Sequence, residues 1–178
     1  MNVIECIKKR RSIRKYKPCK VEHEVIEELV DCARWAPSWS NCKAVRYTVI
    51  EKDYEIQEIA HTLVAPENVN IVENAPMLMV LSTVKNRSGY ERDGSTSTAK
   101  GATWEMFDTG AACQNICLAA EELGLGTVIM ASFDEEGVTK FIDLPEDELI
   151  IALVACGYPA EEPKAPRRKE VSEILRYH

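Results

Sequence analysis

Residues 103 to 123, TWEMFDTGAACQNICLAAEEL, form the longest helical pattern in this sequence. Its large apolar residues stand among small ones, which are Gly110, Ala111, Ala112, Ala119 and Ala120. Small side chains allow a second helix to approach closely. Gly124 follows as a C-terminal stop, because glycine readily adopts the left-handed conformation that ends many helices. The stretch therefore predicts one long helix that packs closely against another.

Helical and strand patterns alternate outward from this long helix. Helical spacing marks residues 2–10, 22–35, 53–63 and a segment that begins at Ser132 or Asp134 and ends near Ile142. Short apolar or β-branched runs mark strands at residues 46–50, 77–83, 127–131 and 149–156. The alternation predicts an α+β or α/β sandwich with helices on both faces of one sheet. Without a repeat or linker, we expect a single domain over residues 1–178, with 158–178 as an extended C-terminal tail.

Residues 85–100, KNRSGYERDGSTSTAK, interrupt this alternation. They are polar, contain Gly89 and Gly94, and have too few apolar side chains to drive their own packing. We expect a mobile loop here that could serve as a lid.

The composition restricts the class of protein. The chain has 178 residues, of which 46% are hydrophobic and 29% charged, enough for one globular domain. The net charge of -7 and pI near 5.1 argue against a general nucleic-acid-binding protein, which needs excess Lys and Arg. No apolar run reaches the roughly 20 residues of a membrane-spanning helix, and the amino terminus is charged. We therefore expect a cytoplasmic protein with no membrane or nucleic-acid partner.

The cysteines and histidines do not form a recognisable metal motif. The seven cysteines are scattered without a C-x-x-C pair, and the three histidines fit neither a triad nor a metal spacing. Cys113 and Cys117, four apart on the long helix, would place two soft ligands on one face, although ordinary buried thiols are the favoured interpretation. We predict no metal site.

Two segments carry groups suited to a charged, planar ligand. After the first helix come Arg10, Arg11, Ser12, Ile13, Arg14 and Lys15, whose guanidinium and hydroxyl groups suit a phosphate. Their alternative is a solvated basic turn, which these residues alone favour. After the second helix, residues 36–41 (APSWSN) combine a proline-fixed turn with short hydrogen-bonding side chains that suit the edge of a heterocycle. Their alternative is an ordinary helix-ending loop. A further basic set, residues 167–169, is by itself only a weak signal for a phosphate site.

Four motifs in this order and spacing resemble the nitroreductase family. They are RRSIRKYKP (10–18), WAPSWSN (35–41), CQNICLAAEELGLGT (113–127) and ACGYPAEEPKAPRRK (155–169), so the likeness covers nearly the whole chain. The resemblance implies an α+β, nitroreductase-like sandwich in which helices flank a central mixed sheet. It also implies a homodimer formed around the helix from Gly110 to Leu123, with the C-terminal extension wrapping the partner subunit.

The same resemblance implies FMN bound at the dimer interface. Arg10, Ser12 and Arg14 would hold the phosphate and ribityl chain, with Arg14 also reaching the N1/O2 edge of the flavin. The ring would be approached across the interface by Pro37, Ser38, Trp39 and Asn41. The complete set of implied cofactor-binding residues is Arg10, Arg11, Ser12, Arg14, Pro37, Ser38, Trp39, Asn41, Lys43, Arg167 and Arg168, the last two completing the phosphate clamp.

The chain departs from the family pattern just after Asn41. Lys43 stands where many members have Gln, and Ala44-Val45 replaces the usual Pro-Trp. A cation near the flavin would stabilise its anionic reduced form and raise the midpoint potential; alternatively, Lys43 points to solvent. The chain also lacks the long insertions that often cover the active site in this family, so the resemblance does not identify the substrate.

By resemblance, the activity is hydride transfer from NAD(P)H to a small electron-poor acceptor such as a nitroaromatic or a quinone, by a ping-pong mechanism at flavin N5. Gly124-Leu125-Gly126 lacks the third glycine of a dinucleotide fingerprint, so NAD(P)H is expected as a transient reductant. No side-chain nucleophile is required. The alternatives are a flavin-fragmenting or reductive dehalogenating enzyme of the same fold, and a non-catalytic flavin-binding redox sensor that signals through its cysteines.

Overall fold

The fold is built around a four-stranded sheet. The structure, a computed structural model, describes residues 2–178 and contains the strands β1 (Val45–Ile50), β2 (Met77–Val84), β3 (Gly126–Met130) and β4 (Glu148–Gly157). They lie in the order β1-β2-β4-β3, and each neighbouring pair is antiparallel. The central strands β2 and β4 are buried along most of their length, which explains their nearly continuous apolar sequences.

The helices agree with the sequence patterns in position and length. Within residues 2–178 they are α1 (Val3–Lys9), α2 (His23–Ala33), α3 (Asp53–Thr62), α4 (Val69–Val72), α5 (Thr103–Glu122), α6 (Glu135–Phe141) and α7 (Val171–Ile174), with 3-10 turns at Trp39–Asn41 and Pro66–Asn68. Every predicted helix and strand is present, to within about two residues at each end. The turns, α4 and α7 were not predicted, because three or four residues are too short to show a period.

The sheet differs from the expected one in a single respect. The α+β class is confirmed, but the mixed sheet is corrected to an antiparallel one for the strands of residues 2–178. The helix α5 does connect two parallel strands, β2 and β3, yet β4 lies between them and pairs antiparallel with both. Strands joined by the crossover therefore never pair. Parallel pairing occurs at an isolated bridge between Ser12 and Thr127 on the β3 edge.

Two apolar clusters lie on opposite faces of the sheet. On one face Met79 of β2 packs with Leu29 of α2 and Ile116 of α5. On the other face the next residue, Val80, packs in a cluster with Ile59 of α3. The helices α2 and α5 also contact each other directly, which confirms the predicted close approach of a second helix to the long one.

The ends and the outer face of α5 show how its small residues are used. Gly124 has φ +77°, which confirms it as the helix stop. Gly110, by contrast, is exposed, and a Cβ added there would meet no atom within 4 Å. A side chain at position 110 would therefore face open space in one chain.

Residues 85–100 are fastened at their base. Ser88 and Gly89 are buried, and a Cβ at Gly89 would collide with the carbonyl oxygen of Gly101. An isolated bridge joins Tyr90 to Thr96, and the tip between them is exposed. The mobility of this loop stays a prediction.

All seven cysteines have free thiols, and Cys113 and Cys117 are buried in α5. Across residues 2–178, no cluster of three or more His, Cys, Asp or Glu is arranged to hold a metal ion. In the same part of the chain, no helix has both the length and the apolar character needed to cross a membrane.

Candidate functional site

A cleft of about 680 Å³ opens between α2, the start of β1 and α5. Pro37, Ser38 and Asn41 line it, so the structure brings together three of the four residues that were expected to approach the ring, and Lys43 lines it as well. The cleft wall also includes Arg46 and Asp108. Polar groups of both charges therefore face a concave surface that is otherwise largely apolar.

The loop that forms the rim of the cleft, residues 38–43, has an unusual backbone. Ser40, Asn41 and Lys43 have φ values of +42°, +55° and +54°. This left-handed region costs an L-residue other than Gly about 1–2 kcal/mol, and such strain persists only where surrounding contacts enforce it. We call these six residues the cleft loop.

Hydrogen bonds within the cleft loop close it on itself. Asn41 N–H donates to the Ser38 carbonyl at 3.0 Å, and Cys42 N–H donates to the Trp39 carbonyl at 2.8 Å. The Ser38 hydroxyl oxygen accepts from Lys43 N–H at 3.2 Å. Outside the loop, the Arg46 guanidinium donates to the Lys43 carbonyl at 2.9 Å. The loop is therefore a closed turn rather than an open connection.

Asp108 of α5 holds the cleft loop from below. Its Oδ2 atom accepts from Trp39 N–H at 2.9 Å and from the Ser88 hydroxyl at 2.6 Å, and the Cys42 thiol is a third donor at 3.6 Å. The side chain is buried, with 3% exposure. Sequence reasoning missed this residue. Its signal was an acidic residue in the buried stripe of a helix, where a charge requires partners.

A second buried carboxylate lies one turn earlier on α5. Glu105 is also 3% exposed and accepts from Asn86 N–H at 2.7 Å. Burial raises the pKa of Glu105, and the backbone N–H groups of Asn86 and Arg87 act in the opposite direction. Glu105 therefore ties residues 85–100 to α5, but it does not reach the cleft loop.

Three aromatic rings lie beside the cleft loop. The Trp39 and Trp104 centroids are 4.8 Å apart, and Phe107 meets Trp104 edge-on at 5.4 Å. The Trp104 indole N–H donates to the Thr98 hydroxyl at 3.0 Å, which attaches the aromatic group to the base of residues 85–100. Trp39 is thus placed against other rings, next to the cleft but outside its lining.

The arginine segment, residues 10–15, is held by its main chain. Ile13 N–H donates to the Thr127 carbonyl at 3.0 Å, which attaches the segment to the edge of β3. Ile13 itself points into the core. Arg14 is exposed, and its backbone N–H donates to the Glu161 carboxylate at 2.6 Å. The backbone of the segment is therefore bound to the edge of the sheet, while the Arg14 and Lys15 side chains are exposed.

The arginines of this segment have different surroundings. The Arg11 guanidinium donates to the Lys8 and Arg10 carbonyls at 2.6 and 2.9 Å, so it caps the end of α1. Arg10 is half-buried near the middle of α5. A hydrogen bond to Cys117 and burial raise the pKa of the Cys113 thiol, and the nearby Arg10 charge opposes this shift. The Arg10 side chain thus lies within electrostatic reach of α5.

Arg167 and Arg168 lie on the exposed tail. The tail begins against the arginine segment, because Ala160 N–H donates to the Lys15 carbonyl at 2.9 Å, and then it leaves the surface. A single chain therefore brings the start of the tail, as far as Pro163, beside Arg11 and Ile13, while Arg167 and Arg168 lie further along the exposed tail.

Known proteins resemble this chain along most of its length. The family model described as "Nitroreductase family" matches residues 7–158. A relative from Methanothermobacter thermautotrophicus, provisionally named as an NADH dehydrogenase/NAD(P)H nitroreductase, is 32% identical over 167 residues, which are 92% of this chain and 80% of the relative. The crystal structure of a nitroreductase family protein from Streptococcus pneumoniae TIGR4 has a TM-score of 0.87 at 20% identity, covering 99% of this chain and 100% of that one.

A structure in complex with FMN, of a provisionally named nitroreductase from Desulfovibrio desulfuricans, has a TM-score of 0.79 and 25% identity, covering 100% of this chain and 97% of that chain. The family match, the 32% identity and the shared fold confirm the predicted family. This chain belongs to the nitroreductase family.

Proposed function

We propose that this chain is an FMN-dependent oxidoreductase that transfers hydride from NAD(P)H to a small electron-poor acceptor, such as a nitroaromatic or a quinone, by a ping-pong mechanism. The observation that carries the proposal is the cleft lined by Pro37, Ser38, Asn41 and Lys43. Family membership supports it, as does the structural relative in complex with FMN.

The chemistry of the donor groups fits FMN. Arg10, Ser12 and Arg14 offer guanidinium and hydroxyl groups to a phosphate dianion. Ser38 and Asn41 offer short hydrogen-bonding groups to the edge of a planar ring. When bound, FMN would accept hydride from the nicotinamide and pass reducing equivalents to the acceptor. The protein would bind and orient the ring, and it would leave one face open to both substrates.

The proposal includes a homodimer that completes the phosphate end of the site. Large apolar side chains are exposed on α1 (Val3, Ile4 and Ile7), after α2 (Trp35) and on α5 (Met106 and Phe107). The tail carries further exposed apolar residues, which are Val171, Ile174, Leu175 and Tyr177. Apolar surface on this scale is typical of a protein interface. We propose that two copies bury these surfaces, and that each tail wraps the other copy and brings Arg167 and Arg168 to the phosphate.

The buried carboxylates are consistent with chemistry that needs no side-chain base. Both Asp108 and Glu105 accept backbone N–H groups, and Asp108 also accepts the Ser88 hydroxyl. Their hydrogen-bonding capacity is thus used to hold loops. This leaves binding and orientation as the tasks of the protein side chains.

Purification and anaerobic reduction test the proposal. We expect a yellow protein that releases FMN on denaturation, with bleaching of the flavin band by NADH or NADPH and its return on addition of a quinone or nitroaromatic. A colourless protein that binds no added FMN would contradict the proposal. FMN that neither nicotinamide reduces would favour the redox sensor, and cleavage of the flavin or of a halogenated phenol would favour the same-fold alternatives.

A further inference from the structure

Two of the donors to Asp108 bracket the strained part of the cleft loop. Trp39 N–H precedes Ser40 and Asn41, and the Cys42 thiol follows them; both reach the same Oδ2 atom. Ser40 and Asn41, two of the three left-handed residues of the loop, are therefore flanked by donors to one carboxylate. The left-handed region is unfavourable for Ser40, although Asn adopts it more readily, so release of these hydrogen bonds would let the loop relax away from this shape.

The third donor links a second loop to the same point. The Ser88 hydroxyl donates to Oδ2 from the base of residues 85–100. Asp108 is also part of the cleft wall. One oxygen atom thus joins α5, the cleft loop and residues 85–100 at the edge of the cleft that the proposed function assigns to the flavin ring.

We infer that Asp108 is a positioning residue for the flavin: its carboxylate holds the cleft loop in the shape that presents Ser38, Asn41 and Lys43 to the ring. The inference rests on the proposed function for its ligand. All three donors converge on Oδ2, and in Asp108→Asn the oxygen at this place would be a neutral amide oxygen, so the three hydrogen bonds would lose the strengthening that an ionised acceptor gives.

Glu105 provides a matched comparison on the same helix. Both carboxylates are 3% exposed, and both bind a backbone N–H of a loop. Glu105 contacts Asn86, however, and it does not line the cleft. Asp108→Asn and Glu105→Gln therefore both remove a buried carboxylate from α5. We expect the cleft loop to be released in Asp108→Asn alone.

The first measurement does not depend on the flavin. Amide hydrogen exchange is compared for the purified wild type, Asp108→Asn and Glu105→Gln. We expect the Trp39 amide to exchange about tenfold faster in Asp108→Asn, which corresponds to the loss of one charge-assisted hydrogen bond. In Glu105→Gln the Asn86 amide should exchange faster instead. Unchanged exchange at Trp39 in Asp108→Asn would overturn the clamp.

The second measurement separates positioning from a merely structural role. FMN release on dilution and the visible flavin spectrum are recorded for the same proteins. We expect Asp108→Asn to weaken FMN binding about tenfold and to alter the flavin spectrum. Glu105→Gln should leave both close to wild type, even where thermal stability falls equally in the two variants.

Ser88→Ala keeps the charge of Asp108 and removes one of its three hydrogen-bond donors. It is therefore the variant to measure if Asp108→Asn does not fold. Its expected effect on FMN binding is about threefold, with faster exchange at Trp39. Equal FMN binding and spectra in wild type, Asp108→Asn and Ser88→Ala would overturn the positioning role while the proposed function stands. A wild type that binds no FMN would overturn both, and that result is distinguishable because it does not involve a variant.

Discussion

The cleft loop and the arginine segment both follow a helix, yet they are held in opposite ways. The cleft loop follows α2 and is fixed by side chains, because the Asp108 carboxylate reaches it from α5. The arginine segment follows α1 and is fixed by backbone hydrogen bonds to Thr127 and Ala160 and by the buried Ile13 side chain. The Arg11 and Arg14 guanidinium groups donate to nearby carbonyls of the same region, and Arg14 is exposed.

This difference divides the proposed site into two parts. The cleft loop has its shape fixed within one chain, whereas the arginine segment is expected to be completed by the tail arginines. The shape of the cleft loop is already enforced, so its polar groups are preorganised for a ligand. The arginine segment presents charge at a defined place, but the tail arginines expected to join it are exposed. Substitutions in the arginine segment should therefore change ligand binding while leaving the fold intact.

The largest expected effect is on the arginine segment. Replacement of Arg10 and Arg14 together by Ala should weaken FMN binding roughly 1,000-fold, because each guanidinium makes charge-assisted hydrogen bonds to a phosphate. The protein should then purify colourless, and its circular dichroism and thermal stability should match those of the FMN-free wild type, because bound FMN itself stabilises the folded state. Absorbance at the flavin band and fluorescence titration with FMN measure the effect.

Lys17 and Lys20 supply the control for charge. Both are exposed and lie just beyond the segment. Lys17→Ala/Lys20→Ala therefore lowers the net charge by the same amount as the arginine variant, but outside the segment. This variant should bind FMN to within about threefold of wild type, because surface charges outside the site are screened. Equal loss of colour in the two double variants would show that net charge, and not the arginine segment, governs binding.

The next effect tests whether a second copy finishes the site. Ile4 on α1 is 65% exposed, and Ile4→Asp should convert a dimer to a monomer by placing a charge in an apolar interface. FMN affinity should fall about 100-fold as the proposed interface opens. Tyr54 on α3 is also 65% exposed, so Tyr54→Asp is the matched control. Sedimentation velocity measures the oligomeric state of the wild type and of both variants. A wild type that binds FMN as a monomer would refute the proposed interface.

A smaller effect is expected from the tail. Arg167→Ala/Arg168→Ala should weaken FMN binding about tenfold, less than the arginine segment, because ordering an exposed tail offsets part of the gain from its phosphate contacts. Lys164→Ala/Lys169→Ala is the control within the same stretch. Isothermal titration calorimetry of each apo-protein with FMN measures the affinity of the two double variants. If both pairs behave alike, the tail contributes only general charge.

The same contrast explains which parts of the structure could be predicted from the sequence. The helix α5 and the arginine segment were located because an uninterrupted run of helix-compatible residues that ends at Gly124 and a run of guanidinium groups are local signals. The role of Asp108 was missed because its partners, Trp39 and Ser88, lie 69 and 20 residues away. The antiparallel sheet was missed for a related reason, since strand patterns do not report that β4 inserts between β2 and β3.

The smallest expected effect concerns Lys43, the departure from the family pattern. Lys43 lines the cleft and is exposed, and we propose that its cation faces the cleft. Lys43→Gln should therefore lower the midpoint potential of bound FMN by about 20–50 mV, since a charge roughly 8–16 Å from the ring interacts by about 1–2 kcal/mol at an effective dielectric near 20. FMN affinity should change by less than about threefold. Lys20→Gln removes an exposed charge elsewhere and should leave the potential unchanged. Equal potentials in all three proteins would place the Lys43 charge in solvent, and the cleft loop would then contribute shape and neutral hydrogen bonds while the positive charge of the site comes from the arginine segment.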